Sequence, residues 1–176
     1  MLKTIILLTQ TGQQQLPLAA LLREHNPSLS FCSALSARDL LAIAPETLRD
    51  ARLVSFANDI AIPEKFLLQL GCGAYKFYVA PVQYPGLPTA PDDSDDPRCF
   101  SAIAQSMTIW PDTRRVVGLE TLTVPESASP TERERQTFTR LAHLFWRMSG
   151  MIANEATELP GIIDNTESKP SFAQMN

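Results

Sequence analysis

An α/β fold built on a mainly parallel sheet follows from three observations in this sequence of 176 residues. Short apolar, β-branched runs alternate with segments of helical spacing through the first half. Two further apolar runs then follow one another, separated only by "PDT". One long amphipathic segment near the end supplies a helix to cover them.

Taken in order, "TIILLT" is a continuous apolar run and reads as a buried first strand. "LPLAALLREH" has leucines at helical spacing and stops at "NPS". "LSFCSAL" is a weaker strand. "SARDLLAIAPETL" opens on a Ser cap and holds short helical turns broken by Pro45. "ARLVSFA" is another strand, with "NDIAIP" as its exit loop. "PEKFLLQLG" predicts a helix with Pro63 at its first position and Gly71 just past its end. Strands are expected near 3–9, 52–57, 74–79, 102–109 and 115–123. The segment "SPTERERQTFTRLAHLFWRMSG" is the clearest helix, capped by Ser129 or Thr131, with Phe138, Leu141, Phe145 and Met148 on one stripe. This organisation gives one domain over 1–158 and a polar tail over 159–176.

Composition narrows the function classes. The apolar fraction is 44%, the charged fraction 19% and the net charge −4, which supports a packed core and signals no nucleic-acid surface. Cys32, Cys72 and Cys99 form no CxxC pair and have no histidine cluster nearby, so neither a disulfide framework nor a zinc site is indicated. The aspartates at 92, 93, 95 and 96 make the Asp92–Asp96 loop acidic, without the glycine and spacing of an EF-hand. The apolar part of "MLKTIILLTQ" is too short for a signal peptide, and no other segment has the length of a membrane span. A cytoplasmic protein is expected. No GxGxxG or P-loop signals a dinucleotide or nucleoside triphosphate. His25 and His143 read as structural or exposed histidines, and "LFWRM" as a core face that also presents Trp146 and Arg147.

Ligands of parallel sheets bind outside the carboxyl ends of the strands. Two such exits stand out, "ANDIAIP" and "AYKFYVAPVQYPG". In the second, Lys76 and Tyr78 lie two apart and should project from one face of a strand. Together with "PDTRRVVGLETLTVP" these stretches resemble, in order and spacing, the core of the formyltransferase fold, which includes methionyl-tRNA and glycinamide-ribonucleotide formyltransferases. The likeness covers roughly 50–125, and the stretch before it is about one βα unit shorter than usual. It implies a Rossmann-like three-layer sandwich and 10-formyltetrahydrofolate as the cofactor.

Residue by residue, the resemblance places the family's catalytic asparagine on Lys76 and its histidine on Tyr78. The residues after the histidine become Val79 and Ala80, while Pro81, Tyr84, Pro85 and Gly86 keep the turn. A histidine of the following strand corresponds to Gln105. The catalytic aspartate matches Asp112, but the glycine two residues on is Arg114. Formyl transfer needs an oxyanion donor and a group that moves the amine's proton. Lysine and tyrosine side chains can donate, but neither is a base near neutral pH. The expectation is a formyltransferase-like protein that has lost ordinary formyl transfer and binds a small molecule or a protein partner. The alternative is an enzyme using Lys76, Tyr78 and Asp112 on another carbonyl or anionic substrate. Lys76 and Asp112 are expected within ion-pair reach, and a homodimer is left open.

Overall fold

A computed structural model describes residues 1–82, 97–110 and 113–162. Six strands form one sheet in the order β2-β1-β3-β4-β5-β6. β1 (Thr4–Thr9) pairs in parallel with β2 (Ser30–Ala34) and β3 (Ala51–Phe56), and β3 pairs in parallel with β4 (Ala74–Pro81). β5 (Cys99–Ser106) and β6 (Val116–Thr123) add on antiparallel. The continuous apolar runs of β1 and β3 are buried along their whole length, as central parallel strands covered on both faces must be.

Helices cover both faces. α1 (Gln15–His25) and α5 (Pro130–Asn154) pack with Ile5, Leu7, Val54, Phe56 and Phe77. α2 (Ala37–Leu41), α3 (Pro45–Leu48) and α4 (Glu64–Leu67) place Leu40, Leu48 and Phe66 against Ile6, Leu8 and Leu53 on the other face. The Ser36 hydroxyl caps α2, accepting from the Asp39 amide at 3.2 Å. Ser129, the first of the two cap residues expected, does the same for α5 through the Glu132 amide. No helix among the described residues is long and apolar enough to cross a membrane.

Two elements differ from their sequence patterns. The helix expected from "PEKFLLQLG" is a single turn, with Pro63 as its N-cap rather than its first residue. Leu68 follows it and is largely exposed, so the apolar stripe has no second turn to bury. Gly71 therefore caps nothing. It lies against the backbone ahead of β3, donating its N–H to the Leu48 carbonyl at 2.9 Å. A Cβ there would stand 1.7 Å from the Arg49 carbonyl oxygen. Gly71→Ala is expected to destabilise the fold by about 3 kcal/mol, the upper range for overpacking, because the obstacle is backbone. A fall in the urea midpoint at unchanged slope would register this. The expected strand over 102–109 is shifted to Cys99–Ser106. Beyond it Thr108 and Thr113 both donate to the Trp110 carbonyl, at 2.6 and 2.9 Å, and close a turn in place of further ladder.

The segment after α5 stays on the domain through the last described residue. Leu159 is buried and its N–H donates to the Tyr75 hydroxyl at 2.8 Å, while the Ile162 N–H reaches the Val116 carbonyl. Beneath it lies Arg52, fully buried inside the apolar run of β3. Its guanidinium donates to the carbonyls of Cys72, Ile152 and Thr157 at 2.9, 2.9 and 2.8 Å. Burial pushes its pKa below the ordinary arginine value, with Tyr75 acting in the opposite sense. The charge thus rests on the carboxyl end of α5, where the helix dipole favours a cation.

Candidate ligand-binding crevice

At the carboxyl edge of the sheet β1 and β3 part company. The chain leaving β1 turns to the face of α1 and α5, and the chain leaving β3 turns to the face of α4. Such a divergence opens a crevice between the two strands. Its floor is fixed by Asn58, whose side-chain amide donates to the Leu8 carbonyl at 2.9 Å and to the Ser55 hydroxyl at 3.0 Å. Its side-chain oxygen accepts from the Ile60 N–H at 3.0 Å. Ala57 just before it holds φ at 49°, a left-handed conformation that costs a non-glycine residue about 1–2 kcal/mol. The Asn58 bonds and the Ala57 N–H bond to the Phe77 carbonyl hold this bend in place.

β4 outruns its neighbour. Phe56 pairs with Phe77 and β3 then ends, while β4 continues to Pro81. The strand past Phe77 therefore forms one wall, and the first turns of α5 form the other. The crevice holds about 550 Å³ and is lined by Gln10, Asn58, Asp59, Tyr78, Thr137 and Phe138, among others. Phe138, expected on the core stripe, is partly exposed and meets Phe56 edge-on at 5.9 Å.

Lys76 and Tyr78 do share a face of β4, with the ammonium 5.6 Å from the centroid of the Tyr78 ring. They are nonetheless divided between adjoining spaces. Tyr78 lines the crevice, while Lys76 lines a second cleft of about 350 Å³ with Gln105 and Arg114. Asp59 and Ile60 border both. The Tyr78 hydroxyl donates to the Gln105 side-chain oxygen at 3.1 Å, so the two residues that the sequence resemblance sets at histidine positions bond to each other. Lys76 has Asp59 at 4.0 Å, a loose and solvent-exposed pairing worth little. Asp112, and with it the expected pairing to Lys76, lies outside the described residues, as do Tyr84, Pro85, Gly86 and the aspartates of the acidic loop. Arg114 is exposed.

Neither imidazole of the chain reaches either cleft. His25 at the end of α1 shares a hydrogen bond with the Ser149 hydroxyl at 2.9 Å. His143 pairs with Glu120 on β6 at 2.9 Å. Cys32, Cys72 and Cys99 are free thiols, two of them buried. No group of three histidine, cysteine or acidic side chains able to hold a metal occurs among the described residues. Sequence reasoning missed Asn58 as the residue that shapes the crevice. The "ND" after an apolar run marked an exit loop, but not which side chain locks it.

No protein-family model matches the sequence, and no curated protein matches it either. Solved structures do. A 4-N formyltransferase from Francisella tularensis superposes with a TM-score of 0.59 at 11% identity, over 96% of this chain and 84% of that one. The formyltransferase PseJ from Anoxybacillus kamchatkensis, solved with a UDP-4-formamido sugar and tetrahydrofolate, gives 0.58 at 12%, over 85% and 76%. A formyltetrahydrofolate deformylase from Pseudomonas putida gives 0.55 at 12%, over 85% of this chain and 65% of its own. These superpositions show that the chain has the formyltransferase fold.

Proposed function

We propose that this formyltransferase-fold protein binds a small-molecule ligand in the crevice between β1, β3 and α5, and does not carry out ordinary formyl transfer from 10-formyltetrahydrofolate. The observation that carries this reading is the placement of the two histidines. His25 is bonded to Ser149 and His143 is turned to Glu120 of β6, and neither lines the crevice or the cleft beside it, so no imidazole serves a reacting amine there. Asn58, the asparagine nearest the crevice, spends its amide on backbone and Ser55. What remains is a shaped, partly apolar space with a few polar groups, the usual make-up of a ligand site. A tetrahydrofolate-type compound is the first ligand to test, because PseJ, which shares the fold, was solved with tetrahydrofolate. A protein partner seated over the same edge is the other occupant this reading admits.

A second reading has one observation in its favour. Lys76 and Arg114 bring two cations to the cleft beside the crevice, where an anionic or carbonyl substrate would meet them. In that case Lys76, Tyr78 and Asp112 act as an enzyme on such a substrate.

Thermal unfolding with tetrahydrofolate, formylated folates and small anions tests the binding reading. A ligand at a hundredfold its dissociation constant adds about 2.7 kcal/mol of stability. Stabilisation by a folate is expected in the native chain and not in Thr137→Trp, which fills the crevice from the α5 wall. Equal stabilisation of both would place the ligand elsewhere. Turnover that disappears in Asp112→Asn would establish the second reading instead.

A further inference from the structure

Away from the crevice, on the opposite flank of α5, three basic side chains converge on one buried carboxylate. Glu120 of β6 has only 7% of its side chain exposed. Its oxygens accept from His143 Nδ1 at 2.9 and 3.0 Å, with Arg147 at 3.2 Å and Arg140 at 3.6 Å. A carboxylate offers about four lone-pair sites, so it can hold all three donors at once. Its single negative charge cannot neutralise them. Two guanidiniums against one carboxylate leave net positive charge at the surface, before any proton on His143 is counted.

We infer that the groove between α5 and the edge strand β6 binds a tetrahedral oxyanion, the phosphate or sulfate group of a small molecule, on Arg140 and His143. The groove holds about 440 Å³, with both residues and Leu122 among its walls. Arg140, His143 and Arg147 are spaced i, i+3 and i+7 on α5 and so form one stripe. Neighbours on such a stripe have Cβ atoms about 5–6 Å apart, a span that one oxyanion bridges with separate oxygens. Glu120 is what sets the geometry. By occupying Nδ1 it fixes the imidazole ring and leaves Nε2 for a ligand, where the neutral ring accepts from a phosphate O–H and only the protonated ring donates to an anionic oxygen, while the ring stays half exposed. The guanidinium of Arg140 is loosely held at 3.6 Å and keeps its other nitrogens for a bidentate contact. Arg135 at the rim adds no net charge, since Glu132 grips it at 2.7 and 3.0 Å. A strand carboxylate that needed only neutralising would be satisfied by one arginine. The surplus of oriented donors is what a ligand would use.

The test is a titration of the ¹⁵N-labelled full chain with sodium phosphate at constant ionic strength, followed by amide shifts. Saturable shifts are expected across Thr139–Arg147 and around Glu120. Arg140→Met and His143→Gln should each weaken the apparent affinity, Arg140→Met by about tenfold, the value of one charge-assisted hydrogen bond. Both side chains are half exposed, so the remaining resonances should stay native in at least one variant. Pyrophosphate and a nucleoside diphosphate run in parallel identify the source of the group. Tighter binding of the nucleotide assigns the site to nucleotides, and equal binding assigns it to the phosphate group alone. Shifts that rise linearly without saturation, or an unchanged affinity in both variants, overturn the proposal. The crevice reading stands or falls separately.

Discussion

No formyl transfer above background is expected from 10-formyltetrahydrofolate to glycinamide ribonucleotide, methionyl-tRNA or a sugar-nucleotide amine. The tetrahedral intermediate of that reaction needs donors aimed at its oxyanion, and the attacking amine must lose a proton. Removing one oxyanion donor costs about 10²–10³ in rate, and removing a positioned acid or base about 10²–10⁴. By the sequence resemblance the family asparagine falls on Lys76, which lines the cleft beside the crevice with Asp59. By the same resemblance the histidine falls on Tyr78, whose hydroxyl is bonded to Gln105. Both contributions are thus altered together, and a loss of at least about 10⁴ follows from their product. The ammonium of Lys76 can restore part of the oxyanion stabilisation, but it cannot take up a proton. A coupled assay with each acceptor decides the matter. Turnover well above background, absent in Asp112→Asn, would contradict the expectation.

Replacing Arg52 by methionine is expected to cost about 3–6 kcal/mol, from its two fully buried hydrogen bonds at about 1.5–3 kcal/mol each for a charged donor. Methionine nearly fills the space but donates nothing. The carbonyls of Cys72 and Ile152 would lose their partner in the interior, and that of Thr157 at a part-buried position. Each unsatisfied buried acceptor costs about 1–3 kcal/mol. Swapping a buried ion pair for apolar groups can be neutral when both partners go, but here the acceptors are backbone and remain. Arg52→Lys should recover only part of the loss, since one ammonium cannot reproduce a planar fork reaching three carbonyls. Against a typical domain stability of about 5–15 kcal/mol, the methionine variant loses a large share. Equilibrium urea unfolding of the three proteins gives the comparison, and equal midpoints would show that the guanidinium only fills volume.

Arg52 also marks a limit of sequence reading. "ARLVSFA" announces a buried strand by its apolar residues, and the strand is there. Nothing local says that its one charged residue turns inward, because its partners lie 20, 100 and 105 positions later. The strands were legible because period and β-branching are local properties. α5 was legible because its stripe is long and its cap is a serine. α4 was overread, since "FLLQL" has helical spacing but only Phe66 of it is deeply buried. The carboxyl-edge crevice followed from the order of strands and helices, and Lys76 with Tyr78 on one face followed from the two-residue period of a strand. That they line different clefts did not, because it depends on where β3 stops relative to β4. Glu120 was equally hidden: its three partners are spread over α5, and only the β6–α5 contact brings them to it.

The way α5 is fastened has a mechanical consequence. Its final turns are gripped by Arg52 and by the packing of Ile152 and Ala153, whereas Thr131, Arg133, Glu134 and Arg135 at its start face solvent. The helix is therefore held most firmly at the amino-terminal edge of the sheet, and by fewer contacts at its first turns, where the Phe138–Phe56 contact and buried Leu141 anchor the crevice wall. A ligand that draws Thr137 and Phe138 toward Tyr78 has to flex only the more loosely held end. The work of closing falls on the exposed first turns and on the Phe138–Phe56 contact, and the clamp at Arg52 carries little of it.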